Sequence, residues 1–342
     1  MKDDDKQKNE EELYQQYIKD STKAFNEKHT LSEESQTQII KTGRNTARTT
    51  NILISLTILL AILPILTLST YVYYAIGGKA MTLSDVMTNT IYVTQPNIGI
   101  EEVGIDHKIG LFSIQFMPEI YKKIGNENYR LGDYSVHFNF SRATEVKKNV
   151  MLERTLPKWP SKEDLWIVHP GGGYMVPFSS TDESMKLKGL PDGTMTEAYL
   201  SFSTVMNREE LEKLLPEDVE LRWVAVDTGL EAGQENAEGQ TVTPIGYPAR
   251  VDSENWSPYR GTPAEQAKTF MSMLQFLSKH EETAMMISDV KALDFKQRLS
   301  YVKKHGVQLY GAVVTGPTPA IRKLESIKAI RAIKVGEVKL WN

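Results

Sequence analysis

The sequence predicts an α+β fold, in which N-terminal helices and one transmembrane helix precede an extracytoplasmic α+β region with a ferredoxin-like C-terminal sandwich. Three observations support this prediction. A long apolar run without charged residues lies near the N-terminus. Apolar and polar side chains alternate from Tyr134 to Phe140, which is typical of a half-buried strand. After residue 194, the order strand, helix, strand, helices, strand, helix, strand indicates a sheet covered by helices on one face.

Composition argues against several classes of function. The chain has 342 residues and no cysteine, which removes disulfides, thiolate zinc sites, iron–sulfur clusters and thiol nucleophiles. The formal net charge of −4 is too small to draw the protein to nucleic acid, so we expect no direct nucleic-acid binding. No G-x-S-x-G, phosphate-binding loop, dinucleotide fingerprint or H-E-x-x-H occurs in the sequence. We therefore predict no catalytic residue, no metal site and no cofactor, and a protein that is not an enzyme.

The apolar run is long enough to cross a lipid bilayer. No charged residue lies between Thr49 and Gly78, and twelve positions from Ile52 to Leu68 are Ile or Leu. A spanning helix needs about 20 apolar residues, and Tyr71, Tyr73 and Tyr74 follow where an aromatic belt is expected. A buried core helix rarely runs this long without a charge. A cleavable signal peptide fits poorly, because 48 residues precede the run.

The charges that flank the run predict its orientation. Lys41, Arg44 and Arg48 lie on the N-terminal side, whereas Lys79 stands alone on the other side. Because an excess of Lys and Arg stays in the cytoplasm, residues 1–48 are expected inside and residues 79–342 outside the cell membrane.

The cytoplasmic segment contains an amphipathic helix after a mixed-charge stretch at residues 2–12. Its apolar face spans an arc of about 140° at 100° per residue, and its candidate partner-binding residues are Leu13, Tyr14, Tyr17, Ile18 and Phe25. A lone helix of this length is marginal in water, so the face needs a partner. Asp20 and Glu27 argue against anionic lipid as that partner. We favour docking in a groove of a protein, and packing against the next helix is the alternative. That next helix is expected to start at Thr30 or Ser32 and to run into the span.

Outside the span, the sequence predicts strands at Thr90–Thr94, Leu111–Phe116 and Tyr134–Phe140, followed by a Pro- and Gly-rich connection. Thr262 followed by Pro263 predicts the N-cap of a helix. The chain is thereby divided into a cytoplasmic segment at 1–48, the transmembrane helix at 49–78, a membrane-proximal region at 79–156, a linker at 157–193 and a C-terminal α+β domain at 194–342.

Several stretches resemble one known family. The C-terminal RLSYVKKHGVQLYGAVVTGPTPAIRKL and VGEVKLWN, with IGYP and FLSKHE before them, are similar to the C-terminal domain of the sigma factor regulator family. SEESQTQIIKTGR and the span through YVYYAIGGK resemble the N-terminal domain of the same regulators. The members of this family are membrane anti-sigma factors of Gram-positive bacteria.

The resemblance implies a negative regulator that holds an extracytoplasmic-function sigma factor at the membrane until envelope stress. The chain is similar to regulators of the sigma-M type, which implies a second small membrane protein as a further partner. The five apolar residues named above would then contact the sigma factor. A non-catalytic envelope protein with a ligand-binding or structural role remains an alternative, and a hydrolase at His169 or His280 is a third interpretation.

Overall fold

The computed structural model describes residues 4–29, 32–101, 106–151, 166–172, 179–233, 235–236, 238–252 and 255–340. The chain divides into two units, Met1–Leu66 and Thr67–Asn342. In chain order, the helices are α1 (Asp4–His29), α2 (Glu33–Tyr71), α3 (Lys79–Thr94), α4 (Ser180–Gly189), α5 (Arg208–Leu214), α6 (Pro263–Leu277), α7 (Glu281–Ser288), α8 (Phe295–His305) and α9 (Thr318–Lys323). The strands are β1 (Gly99–Glu101), β2 (Asp106–Gly110), β3 (Ser113–Met117), β4 (Glu119–Ile124), β5 (Glu127–Asn139), β6 (Arg142–Val150), β7 (Thr194–Met206), β8 (Glu220–Val226), β9 (Gly246–Pro248), β10 (Asn255–Trp256), β11 (Leu309–Pro317) and β12 (Ile330–Leu340).

The first unit is helical. Helix α1 begins at Asp4, so it includes most of the mixed-charge stretch that precedes the amphipathic part. The many Glu, Lys and Gln residues of this stretch have a high helix propensity. Ser32 caps α2, because its Oγ accepts a hydrogen bond from the Ser35 N–H at 3.2 Å. The alternative start at Thr30 lies outside the described residues. Within the described chain, one helix, Glu33–Ile76, is long and apolar enough to cross a membrane.

The first sheet follows α3 and is antiparallel throughout. Its strand order is β10–β1–β4–β5–β3–β2, and β6 pairs with the other edge of β5. The alternation predicted for Tyr134–Phe140 is confirmed as far as Phe138, since Tyr134, Val136 and Phe138 are buried while Ser135 and His137 are half-buried. It is wrong for Phe140, which follows the end of β5 in a turn and is exposed. Strand β5 is longer than predicted because it pairs with β4 at one end and with β3 at the other.

The strand predicted at Thr90–Thr94 is wrong, because these residues form the last turns of α3. Most of the helix is buried on all sides. A fully buried helix and a fully buried strand both appear in the sequence as a short apolar run, so the spacing of apolar residues cannot distinguish them. The hydroxyls of Thr88, Thr90 and Thr94 donate to carbonyls four residues earlier, at 2.6–2.9 Å. Packing and these internal bonds outweigh the β-propensity of Ile, Val and Thr.

The second sheet has the antiparallel order β12–β7–β11–β8–β9. On one face, Ala198, Leu200 and Phe202 of β7 join a core cluster with Phe270 and Leu274 of α6. The opposite face carries a second cluster, which contains Ile167, Tyr199, Ala225, Tyr310, Val313 and the fully buried Trp223. Strand β4 of the first sheet contacts β7, β11 and β12. The fold is therefore α+β, as predicted, and the structure shows that both sheets are antiparallel.

Part of the predicted connection at 157–193 is ordered structure. Helix α4 lies within it, capped by the Ser179 side chain and packed against β12 and α9. Leu187 is buried in the main core cluster, and Ile167 is buried in the second cluster. A single buried leucine in a polar sequence gives too weak a period to be seen without the tertiary structure.

Candidate functional site

Helix α1 brings all five predicted partner-binding residues onto one face. They fall within an arc of about 140° because helical residues advance by 100° each. The five side chains keep between 46% and 73% of their surface exposed, and they are Leu13, Tyr14, Tyr17, Ile18 and Phe25. Such a row of large apolar side chains is the pattern by which amphipathic helices dock in grooves.

The apolar residues of α2 near its start are exposed as well. Ile39 and Ile40 keep more than half of their surface in contact with solvent. In the part of the first unit whose side chains are described, the apolar side chains of α1 and these two isoleucines are therefore largely exposed. Two tyrosines with polar tips in this face are well suited to a protein interface, where aromatic residues contribute much of the binding energy.

The last residues of α2 and the turn after it belong to the second unit. Tyr74 is fully buried and donates hydrogen bonds to the carbonyls of Phe112 and Phe140 at 3.0 and 3.1 Å. Of the three tyrosines expected in an aromatic belt, only Tyr71 keeps more than half of its surface exposed. The belt prediction is therefore wrong for Tyr74, because its ring is part of the core of the second unit.

A buried ionic network lies between the two sheets. Lys122 Nζ of β4 is 2.7 Å from Glu197 Oε2 of β7, and the Lys122 and Glu197 side chains are 3% and 0% exposed. Glu197 also accepts hydrogen bonds from Asn97 Nδ2 and the Glu337 N–H. Burial lowers the pKa of Lys122, but Glu197 and the neighbouring Tyr199 outweigh it, so the pKa lies above its usual value. The network is saturated with partners, which is typical of a structural role.

The sequence contains a signal for the buried position of Lys122, although not for its pairing with Glu197. Ile120, Lys122 and Ile124 alternate with more exposed residues in β4, which places the lysine on a buried face. A lysine at such a position needs an anionic partner.

His169 lies in a second polar cluster. Its Nε2 is 3.5 Å from Asp227 Oδ1, and its Nδ1 accepts a hydrogen bond from the Gly171 N–H at 3.0 Å. Tyr301 donates to Asp227 Oδ2 at 3.0 Å. Burial raises the pKa of Asp227, whereas His169, the Gly229 N–H and Tyr301 lower it and prevail, so the pKa lies below its usual value.

The two histidines of the hydrolase interpretation lie in different places. His280 is the N-cap residue of α7, and its ring packs against Phe276 at 5.1 Å between centroids. Burial, together with Lys79 and Lys279, lowers its pKa. Within the described residues, no group of three or more His, Asp or Glu side chains is placed to hold a metal ion.

One helix of the described chain is able to cross a membrane, and it joins a helix with exposed apolar side chains to an α+β unit. This order of elements is that of a single-pass membrane protein. Comparison with known proteins identifies its family. A family model described as sigma factor regulator N-terminal matches residues 37–129, and one described as sigma factor regulator C-terminal matches residues 187–337.

The chain is also 30% identical over 338 residues to the probable anti-sigma-M factor YhdL of Bacillus subtilis (strain 168), covering 97% of this chain and 90% of that protein. No solved structure matches. The protein belongs to the sigma factor regulator family.

Proposed function

We propose that the protein is a membrane-anchored anti-sigma factor that sequesters an extracytoplasmic-function sigma factor and represses its regulon until envelope stress. The observation that carries the proposal is the exposed apolar face of α1 at Leu13, Tyr14, Tyr17, Ile18 and Phe25. In this role the face masks surface that the sigma factor needs for binding core polymerase. The relative's description as a probable anti-sigma-M factor supports the proposal.

In the proposed topology, the N-terminal segment and the C-terminal region of the chain lie on opposite sides of the membrane. Residues 1–48 lie in the cytoplasm, residues 49–78 span the bilayer, and residues 79–342 are extracytoplasmic, in accordance with the flanking Lys41, Arg44 and Arg48. A second small membrane protein is a further proposed partner.

The outer region is proposed to end in a ferredoxin-like sandwich. In chain order, the four strands of this region are β7, β8, β11 and β12. Their order in the sheet is β12–β7–β11–β8, so the fourth strand lies beside the first, and the third lies between the first and the second. This arrangement supports the proposal, because it is that of a ferredoxin-like sheet. In the proposed mechanism this domain receives the envelope signal.

The test is capture of extracytoplasmic-function sigma factors by the full-length chain in detergent. The double substitution Tyr17→Asp and Ile18→Asp puts two charges into the apolar face. We expect the affinity for the sigma factor to fall at least about 30-fold, since one interface hot spot contributes about 2 kcal/mol or more.

The matched control is Gln15→Asp with Gln16→Asp, which adds the same charge on the opposite face of α1. This variant should bind as the wild type does. Equal binding by both double variants removes the apolar face from the contact.

Deletion of residues 4–29 separates this function from the envelope-protein alternative. Derepression of a stress regulon in the deletion strain supports the anti-sigma role. An unchanged transcriptome supports a ligand-binding or structural protein whose inner segment is only an anchor flank.

A further inference from the structure

We propose that two hairpin tips of the second unit, Leu111–Phe112 between β2 and β3 and Phe140–Ser141 between β5 and β6, lie in the headgroup layer of the bilayer and contact lipid beside the end of the spanning helix. The inference rests on the proposed membrane span. It holds for either orientation of the chain, because it concerns only the membrane surface from which this end of the helix emerges.

Hydrogen bonds fasten both tips to the end of α2 and the turn after it. Thr70 Oγ1 accepts a bond from the Phe112 N–H at 3.0 Å, and the Tyr74 hydroxyl donates to the carbonyls of Phe112 and Phe140. The hydroxyls of Tyr73 and Ser141 are 2.8 Å apart. These bonds therefore hold both tips at the level of residues 70–74 along the helix axis.

The length of the apolar run sets where this helix end meets the membrane surface. The run begins at Ile52, and a helix crosses the hydrocarbon core in about 20 residues at about 1.5 Å each. The boundary between hydrocarbon and headgroups is thus reached close to Tyr71. Tyr71 keeps 55% of its surface exposed, as expected of a side chain directed toward lipid.

The tips present apolar side chains at this level. Leu111 and Phe140 are each 51% exposed. The rings of Phe112 and Phe140 stack with their centroids 5.2 Å apart, and Tyr73 packs edge-on against Phe140 at 5.8 Å. The result is one continuous aromatic surface that joins both hairpins to the spanning helix.

The backbone conformation at both tips is one that phenylalanine rarely adopts. Phe112 and Phe140 have φ angles of 53° and 52°, where Asn and Gly are common and bulky side chains are rare. Asn or Gly would form these turns with less backbone strain. The presence of two stacked phenylalanines therefore indicates that the aromatic side chains themselves are needed at the tips. Aromatic side chains with polar neighbours are enriched in the interfacial layer of membranes, so lipid is the occupant that this surface fits.

Because the chain has no cysteine, single-cysteine variants can report the position of each tip. Leu111→Cys and Phe140→Cys are labelled with an environment-sensitive fluorophore in the full-length protein. The labelled protein is reconstituted in phosphatidylcholine–phosphatidylglycerol vesicles that contain doxyl-labelled phosphatidylcholine. We expect both labels to be quenched by the doxyl lipid and protected from aqueous iodide.

Two further variants serve as references. Tyr71→Cys reports insertion of the span, and Met185→Cys reports a water-exposed site on α4, which packs on β12 and α9. If the labels at 111 and 140 behave as the label at 185 does while the label at 71 is quenched, the inference is overturned and the span stands. If the label at 71 is also unquenched, the span and the inference fail together. Leu111→Cys leaves the stacked phenylalanines intact, so it decides the question where Phe140→Cys does not fold.

Discussion

Lys122 Nζ of β4 lies 2.7 Å from Glu197 Oε2 of β7, and this buried ion pair joins the two sheets. Strand β4 belongs to the region after the span and β7 to the C-terminal region. The pair therefore connects parts of the chain that the sequence divided into separate regions. Asn97 and the Glu337 N–H complete the partners of the carboxylate.

Removal of the lysine should destabilise the second unit strongly. Lys122→Met leaves a buried carboxylate without its cation, which is expected to cost about 3–5 kcal/mol of unfolding free energy. Adding Glu197→Gln removes the unpaired charge and keeps an acceptor for Asn97, so we expect the double variant to recover a large part of the loss. Denaturant unfolding of the full chain in detergent, followed by tryptophan fluorescence, measures both.

An exposed ion pair provides the control for this prediction. Arg142 and Glu282 are 2.8 Å apart, but both side chains are 71% exposed, so Arg142→Met should cost no more than about 1 kcal/mol. Equal losses for Lys122→Met and Arg142→Met would contradict the assignment of the network between the sheets as a major stabilising contact.

Elements that depend on local signals could be predicted from the sequence. The N-cap predicted at Thr262 is confirmed, since its side chain accepts from the Glu265 N–H and Pro263 begins α6. The alternation predicted from Tyr134 is likewise found in β5 as far as Phe138. Caps, turns and alternation act over a few residues, so a single sequence contains them.

Features that depend on distant parts of the chain could not be predicted. Helix α3 has the composition of a strand, and its conformation follows from burial between other elements. Lys122 could have been recognised as buried, but Glu197 could not have been assigned as its partner, because strand pairing across the chain leaves no local pattern. For the candidate site, the sequence suffices to place five residues on one helix face, whereas their contact with a partner is a property of the complex.

Gly311 should not tolerate a side chain. A Cβ at position 311 would lie 2.2 Å from Ile167 Cγ2 and 2.6 Å from the Leu200 carbonyl oxygen. We expect Gly311→Ala to cost about 1–3 kcal/mol of unfolding free energy because of overpacking. Gly189→Ala is the matched control, since a Cβ there meets nothing within 4 Å. A loss at position 311 no larger than that at position 189 would contradict the close packing of β11 against Ile167.

The Asp227 cluster should make stability depend on acidic pH. The pKa of Asp227 is lowered in the folded protein, so its contribution is present above the unfolded pKa of about 3.9 and is lost as pH falls through the folded value. Asp227→Asn removes this contribution. We expect the melting temperature of the variant to be lower than that of the wild type near pH 6 and to fall less steeply between pH 5 and pH 3, as measured by thermal unfolding in detergent. Parallel profiles for the two proteins would contradict the role of the carboxylate.

The orientation of the span can be tested in intact cells with two single-cysteine variants. Lys41, Arg44 and Arg48 precede the apolar run and Lys79 alone follows it, so the N-terminal side should remain in the cytoplasm. Met185→Cys should react with a membrane-impermeant maleimide in intact cells. Lys19→Cys on α1 should react only after permeabilisation. Labelling of position 19 in intact cells would place the apolar face of α1 outside, where it cannot reach a sigma factor, and the proposed function would fail with it.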